Sequence, residues 1–266
     1  MNIKELIGEG NFIVEILKGL DQWRNERKLE IKGQAEGYFR NTFEELGELA
    51  DAMKVEAGYK NIAQKLQKAL EVCQTARLHG ESLLTVGKSA ALAGKYEKAW
   101  YLKDAHYIVD EDELRRIYGR EAFIDALCDI MVFSGNLLAA SDYKLPNDEV
   151  LGNLKNTLEN VQAGGDIKAR AFQELTGGVS ILSCSVLSSD SDDEDTSFII
   201  TSIYASLKVL ALDKGYNFDL AMQEVIRHIN SRRGSWSDAL GKWVKDESEE
   251  AVKLWYQPNF SNASIL

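Results

Sequence analysis

The stretch from Glu121 to Leu138, EAFIDALCDIMVFSGNLL, limits the fold of this chain more than any other. Its acids Glu121, Asp125 and Asp129 recur every fourth residue, so at about 100° per residue they make one stripe along a helix, drifting only about 40° per step. Asn136 continues that stripe. Phe123, Leu127 and Ile130 lie opposite, and Ile124, Met131 and Phe133 lie to the sides. An ordinary surface helix keeps a broad polar face. This one is apolar nearly all round, so its carboxylates are expected to point into a protein-walled cleft, where they need a cation, a proton or a metal.

A second acidic cluster lies at Phe43 to Lys54, FEELGELADAMK. Glu45 and Glu48 stand three apart and face the same way, with Glu44 and Asp51 on the adjoining flank. Two such helices packed together can present four carboxylates around one or two hard divalent ions. Mg²⁺ prefers oxygen ligands of this kind and retains waters, which leaves room for phosphate oxygens.

Glu44-Glu45-Leu46-Gly47-Glu48 resembles the EExxE motif of the MazG-like, all-α nucleoside triphosphate pyrophosphatases, and Asp125-Ala-Leu-Cys-Asp129 is similar to their second acidic helix. The resemblance extends upstream to Trp23, Arg24, Arg27 and Gln34. It is clearest in Asn230-Ser231-Arg232-Arg233, Gly241-Lys242-Trp243-Val244-Lys245 and Tyr256-Gln257-Pro258, which resemble the tail of phage proteins of the phosphoribosyl-ATP pyrophosphohydrolase-like type. The second motif of the family is ExxD. Here Ala122 stands where its Glu would be and Glu121 lies one residue earlier, and a long insertion separates the two acidic helices.

The resemblance implies an all-α helical bundle of the NTP pyrophosphatase type, with two tandem degenerate bundles as the variant suggested by the chain's own halves. It implies attack at the α-phosphorus of a nucleoside triphosphate, releasing pyrophosphate and a monophosphate. Glu45, Glu48, Asp125 and Asp129 are the expected ligands of Mg²⁺, with Mn²⁺ as the alternative ion. Glu44, Glu45 and Glu121 are the candidate catalytic acids, as base or second-metal ligands. Two other functions stay open: a dUTPase or dCTPase, and a nucleotide-sequestering protein whose displaced second motif has lost turnover.

Along the chain, residues 2–28 read as an opening helix with Phe12, Ile13, Ile16, Leu17 and Leu20 on its apolar face, and Lys32 to Gly37 as a loop before the acidic helix. The expected catalytic bundle spans 1–145 and holds an insertion at about 58–118. Within it Gly87-Lys88-Ser89 resembles the end of a P-loop, but Ser82 occupies the place of the required first glycine and no strand precedes it. Ser141 to Asp148 carries one of only two prolines among turn formers and marks the boundary of a second bundle, 146–266. That second half echoes the first. Phe172-Gln-Glu-Leu-Thr-Gly corresponds to Phe43-Glu-Glu-Leu-Gly-Glu, and Ser197 to Tyr204 corresponds to Ala122 to Asp129. In this alignment Gly177, Ile200 and Tyr204 replace Glu48, Asp125 and Asp129, so the echo has lost its acids. Ser188 to Ser197 reads as a charged, solvated loop between its helices.

The C-terminal tail, 230–260, concentrates Asn230, Arg232, Arg233, Lys242 and Lys245 in an otherwise acidic chain. With Tyr256 as an aromatic face and Asn136 from the acidic stripe, Asn230, Arg233, Lys242 and Lys245 are the candidate substrate-binding residues, with the tail as a lid over the triphosphate. A net charge of −11 argues against a general nucleic-acid surface. Cys73, Cys128 and Cys184 form no CxxC pair, which suits a reducing cytoplasm, and no membrane segment is visible. His79, His106 and His228 are scattered and read as structural or exposed. A homodimer stays open as a partner state.

Overall fold

The computed structural model describes residues 12–56, 111–140, 166–188, 193–239 and 242–265. The Gly87-Lys88-Ser89 segment, most of the insertion and Ser141 to Asp148 lie outside them. Among the described residues the chain is mostly helical. Its helices are α1 (Phe12–Glu26), α2 (Ile31–Glu56), α3 (Glu111–Ala140), α4 (Ile167–Ser188), α5 (Asp193–Asp213), α6 (Phe218–Ser231) and the short α7 (Glu249–Val252). A two-stranded antiparallel hairpin, β1 (Gly234–Ser237) with β2 (Lys242–Lys245), follows α6, and a 3₁₀ turn, Phe260–Ala263, lies near the end.

Helix α3 explains its own composition. It packs along α2 and also touches α1, α5 and α6. With neighbours on so many sides it has no broad face left for solvent, and Phe123, Ile124, Leu127, Ile130 and Met131 are all fully buried. The chain's second half forms a matching pair, α4 on α5, and the pairs meet through α3 against α5 and α2 against α4. The segments that echo one another in sequence therefore sit on α2 and α4, and on α3 and α5. Buried residues of both halves belong to one hydrophobic cluster, so the change of composition near residue 145 divides the chain without dividing the core.

The two helix pairs carry different residues at matching positions. A Cβ placed on Gly178 of α4 would lie 2.8 Å from Ile203 Cγ1 of α5, so glycine permits that contact. The corresponding place on α2 is Leu49, a buried side chain.

Two boundaries differ from the sequence reading. Lys32 to Gly37 is not a loop, because α2 already begins at Ile31. The chain turns instead at Lys28, whose φ of 51° is left-handed, and Leu29 N–H bonds the Arg24 carbonyl to close α1. Gly33 and Gly37 are held in the helix by the packing of α2 on α3, which outweighs a propensity cost of about 1 kcal/mol each. The charged stretch Ser188 to Ser197 is not all loop, because α5 already starts at Asp193.

The tail wraps the body and is anchored at several points. Asn217 caps α6 by accepting from Leu220 N–H, while its own N–H donates to Ala263 O at 2.8 Å. Ile265 N–H donates to Gly215 O at 2.9 Å.

Candidate functional site

The packing of α2 on α3 brings the two acidic helices side by side, with Tyr38 OH and Ser134 Oγ bonded at 3.1 Å across the interface. Glu44 is exposed, Glu45 and Glu48 are half-buried, and Asp51 pairs with Lys54 at 2.8 Å. On α3, Asp125 is only 6% exposed, while Glu121 and Asp129 are half-buried. Asn136 is 1% exposed, and its Oδ1 is buried without a hydrogen-bond partner.

One of these carboxyls, Glu121, is strongly perturbed. Loss of water around Glu121, together with the charge of Asp125 one helical turn away, raises the Glu121 carboxyl to about 8. At neutral pH Glu121 therefore holds a proton most of the time. A carboxylic acid of this kind can donate a hydrogen bond or a proton, which an ordinary glutamate cannot.

The donor chemistry of Glu45, Glu48, Asp125 and Asp129 suits Mg²⁺ or Mn²⁺. Their placement does not yet fit one ion: among the described residues no three Asp, Glu, His or Cys side chains come together closely enough to hold a metal. The expected four-carboxylate cage is thus not assembled as the side chains stand among the described residues.

His228 links this acidic region to the tail. Its ring is buried near the Asp125 carboxylate on one hand and near Arg232 and Lys245 on the other. Burial, then the Arg232 guanidinium, hold its pKa down at about 4, against weaker opposing effects of Tyr256 and Asp125. The ring is neutral at pH 7, and its contacts choose the tautomer. Nδ1–H donates to the Tyr256 carbonyl, and Nε2 accepts from Arg232 Nη2 at 2.8 Å and Nε at 3.2 Å. His228 is therefore structural: it fixes both Arg232 and the returning chain.

Further clasps hold the tail. The Arg27 guanidinium lies between the rings of Trp23 and Trp243, 5.3 and 5.2 Å from their centroids, and Nη2 donates to the carbonyls of Ile229 and Arg232 at 3.2 Å. It thereby satisfies backbone oxygens at the C-terminal end of α6 that the helix leaves open. Trp23 is part of this clasp, and its Nε1–H donates to Ile229 O at 3.2 Å. Glu224 gathers Tyr256 OH, Asn259 N–H and Asn262 Nδ2, and although burial opposes ionisation these donors hold its carboxyl below the usual range.

The candidate substrate-binding residues therefore separate into groups. Arg233 and Lys245 line one cleft of about 360 Å³ with Gly234, Ser235, Val244 and Asp246. Lys242 pairs with Ser237 at the other end of the hairpin. Asn230 is exposed, and its carbonyl accepts from Arg27 at 3.4 Å. Tyr256 is committed to Glu224 and His228 as a clasp. Asn136 remains with the acids on α3. Sequence reading missed the roles of Arg27, Glu224, His228 and Arg232; the one local signal is that Glu224, His228 and Arg232 recur every fourth residue on α6 and its end.

No protein-family model, no curated protein and no solved structure matches this chain.

Proposed function

We propose that the chain is a nucleoside triphosphate pyrophosphohydrolase, splitting a (d)NTP into a monophosphate and pyrophosphate, with the acids of α2 and α3 as its centre. The observation that carries this reading is the crowding of Glu121 and Asp125 in the wall of α3, where the chain tolerates a carboxyl held at about 8. Such an arrangement costs stability and is found where chemistry needs it. The side-by-side packing of the two helices that bear the EExxE-like and second acidic segments supports the same reading. Mg²⁺ or Mn²⁺ is the ion these acids would recruit, neutralising phosphate charge when bound. Sharing one ion requires their side chains to draw together. The chain's own contribution is to keep a proton on Glu121, in a setting partly closed to water.

The displaced second motif and the lack of a convergent acidic triad among the described residues favour one further reading, a protein that binds nucleotides without turning them over. Incubation with a panel of canonical and modified nucleoside triphosphates plus Mg²⁺, with identification of the products, separates the two. Monophosphate and pyrophosphate, lost in Asp125→Asn and Glu48→Gln, are the expected outcome. Binding without products selects the second reading. A diphosphate with inorganic phosphate places attack at the terminal phosphorus and defeats the first.

A further inference from the structure

We infer that residues 254–259 form an acid-sensitive strap, and that a proton taken up by His228 loosens their hold on α6 while the helical body stays folded. Tyr256 is the point of attachment. Its N–H donates to Ser231 Oγ at 2.7 Å, its carbonyl accepts from His228 Nδ1–H, and its hydroxyl donates to Glu224. The Arg227 guanidinium lies 5.1 Å from the centroid of its ring. Asn259 N–H adds a bond to Glu224 Oε2 at 2.9 Å. Glu224, Arg227, His228 and Ser231 stand at the spacing of one helix face, so a single side of α6 supplies these grips.

His228 is where a proton undoes this arrangement. Its Nε2 accepts from Arg232 Nη2 at 2.8 Å and Nε at 3.2 Å, so a proton there sets N–H against N–H and leaves two guanidinium donors without an acceptor. The strap itself covers the ring, with the Trp255 ring edge-on at 6.4 Å between centroids and the Tyr256 carbonyl on Nδ1. An imidazolium under that cover has lost its water, and departure of the strap restores it. The surrounding charges act in both directions. Arg232 at the end of α6 and Lys245 on β2 oppose the proton. Asp125 on α3 favours it through space, with both ring nitrogens bonded to other partners. Arg27 of α1 bonds the carbonyls of Ile229, Asn230 and Arg232 and places a further positive charge near Arg232. Lys208 of α5 is engaged with Asp219 at the start of α6. With the strap in place, burial first and then Arg232 hold the ring at about 4, against an ordinary value of about 6.5. Opening is therefore favoured about tenfold for each pH unit lost between those values, up to about 300-fold in all. Glu224 adds to the effect only below about 4.5, because its donors hold its carboxyl under the usual range.

The test is hydrogen exchange of the Tyr256 and Asn259 amides, read by NMR on the full chain and corrected for the intrinsic rate at each pH. Side chains of α6 hold both amides, so both exchange when the strap opens. Their protection is expected to fall by at least about tenfold, and up to about 300-fold, from about pH 6.5 to about pH 4. The amides of Ile130 and Met131, in the buried part of α3, do not follow. His228→Gln keeps a donor and an acceptor but takes up no proton in this range, so its protection stays level down to about pH 4.5. Arg232→Met leaves the histidine and removes a charge that opposes its proton, so the fall persists but shrinks as the covered ring titrates nearer its ordinary value. Level protection in the wild type overturns the inference. So does an equal loss at Ile130 and Met131 over the same range, which marks acid unfolding of the whole body. A full fall in His228→Gln overturns it too, as does, should that variant not fold, an undiminished fall in Arg232→Met.

Discussion

Asp125 on α3 and Asp219 on α6 are both buried carboxylates, 6% and 4% exposed, yet their surroundings are opposite. Asp219 receives the Lys208 ammonium at 2.7 Å on one oxygen and the Tyr204 hydroxyl on the other, with both Lys208 and Asp219 side chains 5% exposed. Its charge is answered from within the chain. One turn from Asp125, Glu121 keeps its proton at neutral pH, first through its own burial and then through the charge of Asp125. The difference follows the echo between the halves. Tyr204 stands on α5 where Asp129 stands on α3, and Lys208 lies one turn further along. The second half thus buries a complete ion pair, whereas Asp125 has another acid among its neighbours.

Breaking the ion pair gives the largest expected effect. Lys208→Met keeps the stem of the side chain but leaves Asp219 buried beside Tyr204 alone, and removing one partner of a buried pair typically costs about 3–5 kcal/mol. Equilibrium denaturation at pH 7 should show a loss of that order. Asp125→Asn, by contrast, removes the charge that acts after burial to raise the Glu121 carboxyl, so it should move the Glu121 pKa down toward the ordinary carboxylate range. If Lys208→Met costs less than about 1 kcal/mol, the two halves do not differ in the way described.

An intermediate effect comes from pH. Glu121 has a folded pKa of about 8, above its unfolded value, so the folded state binds the extra proton and stability falls as pH rises from about 4.5 to about 8. His228 acts with the opposite sign. Its folded pKa of about 4 lies below the unfolded value, so its contribution rises with pH between about 4 and about 6.5 and is complete above that. Between pH 6.5 and 8 only the Glu121 slope remains of the two, worth up to about 2 kcal/mol at one proton per molecule. Denaturation of the chelator-treated protein across that window should show the decline, and Glu121→Gln should flatten it. A slope unchanged in the variant would mean that Glu121 titrates normally and that α3 stores no such cost.

The helical character and the placing of α3 were legible in the residues, because an all-round apolar helix interrupted by acids has few places to sit. The segments that echo one another in sequence both lie on helices. The start of α2 was not legible: Gly33 and Gly37 look like a loop until the packing on α3 is known. The tail was legible as a basic, aromatic concentration but not as a hairpin clasped to the body. Arg27 and Ile229 are 202 positions apart, and nothing local announces that one guanidinium will sit between Trp23 and Trp243 while capping α6. His228 looked isolated because its partners Tyr256 and Asp125 come from other parts of the chain. The acids were found as two stripes; whether they converge on one ion depends on side-chain positions that periodicity does not contain.

The smallest expected change in stability is also the sharpest on function. Asn136 lies on the acidic stripe of α3, three turns beyond Asp125, and its buried Oδ1 accepts no hydrogen bond. At the echoed position on α5 stands Ala211, fully buried and apolar. A buried carbonyl oxygen left unmade costs roughly 1–3 kcal/mol, and replacing the whole amide by an apolar group of similar shape removes the penalty. Asn136→Leu should therefore be neutral or stabilising by up to about 1 kcal/mol, as judged by thermal unfolding. If the polar atom is kept for a ligand, the same variant should lose at least about tenfold in kcat/KM on the preferred triphosphate, since a donor on the substrate would then face a methyl group. A variant that is markedly less stable would show that the amide is already satisfied within the fold. One that is equally stable and fully active would place the substrate away from the upper part of the stripe and restrict the proposed site to Glu121, Asp125 and the acids of α2.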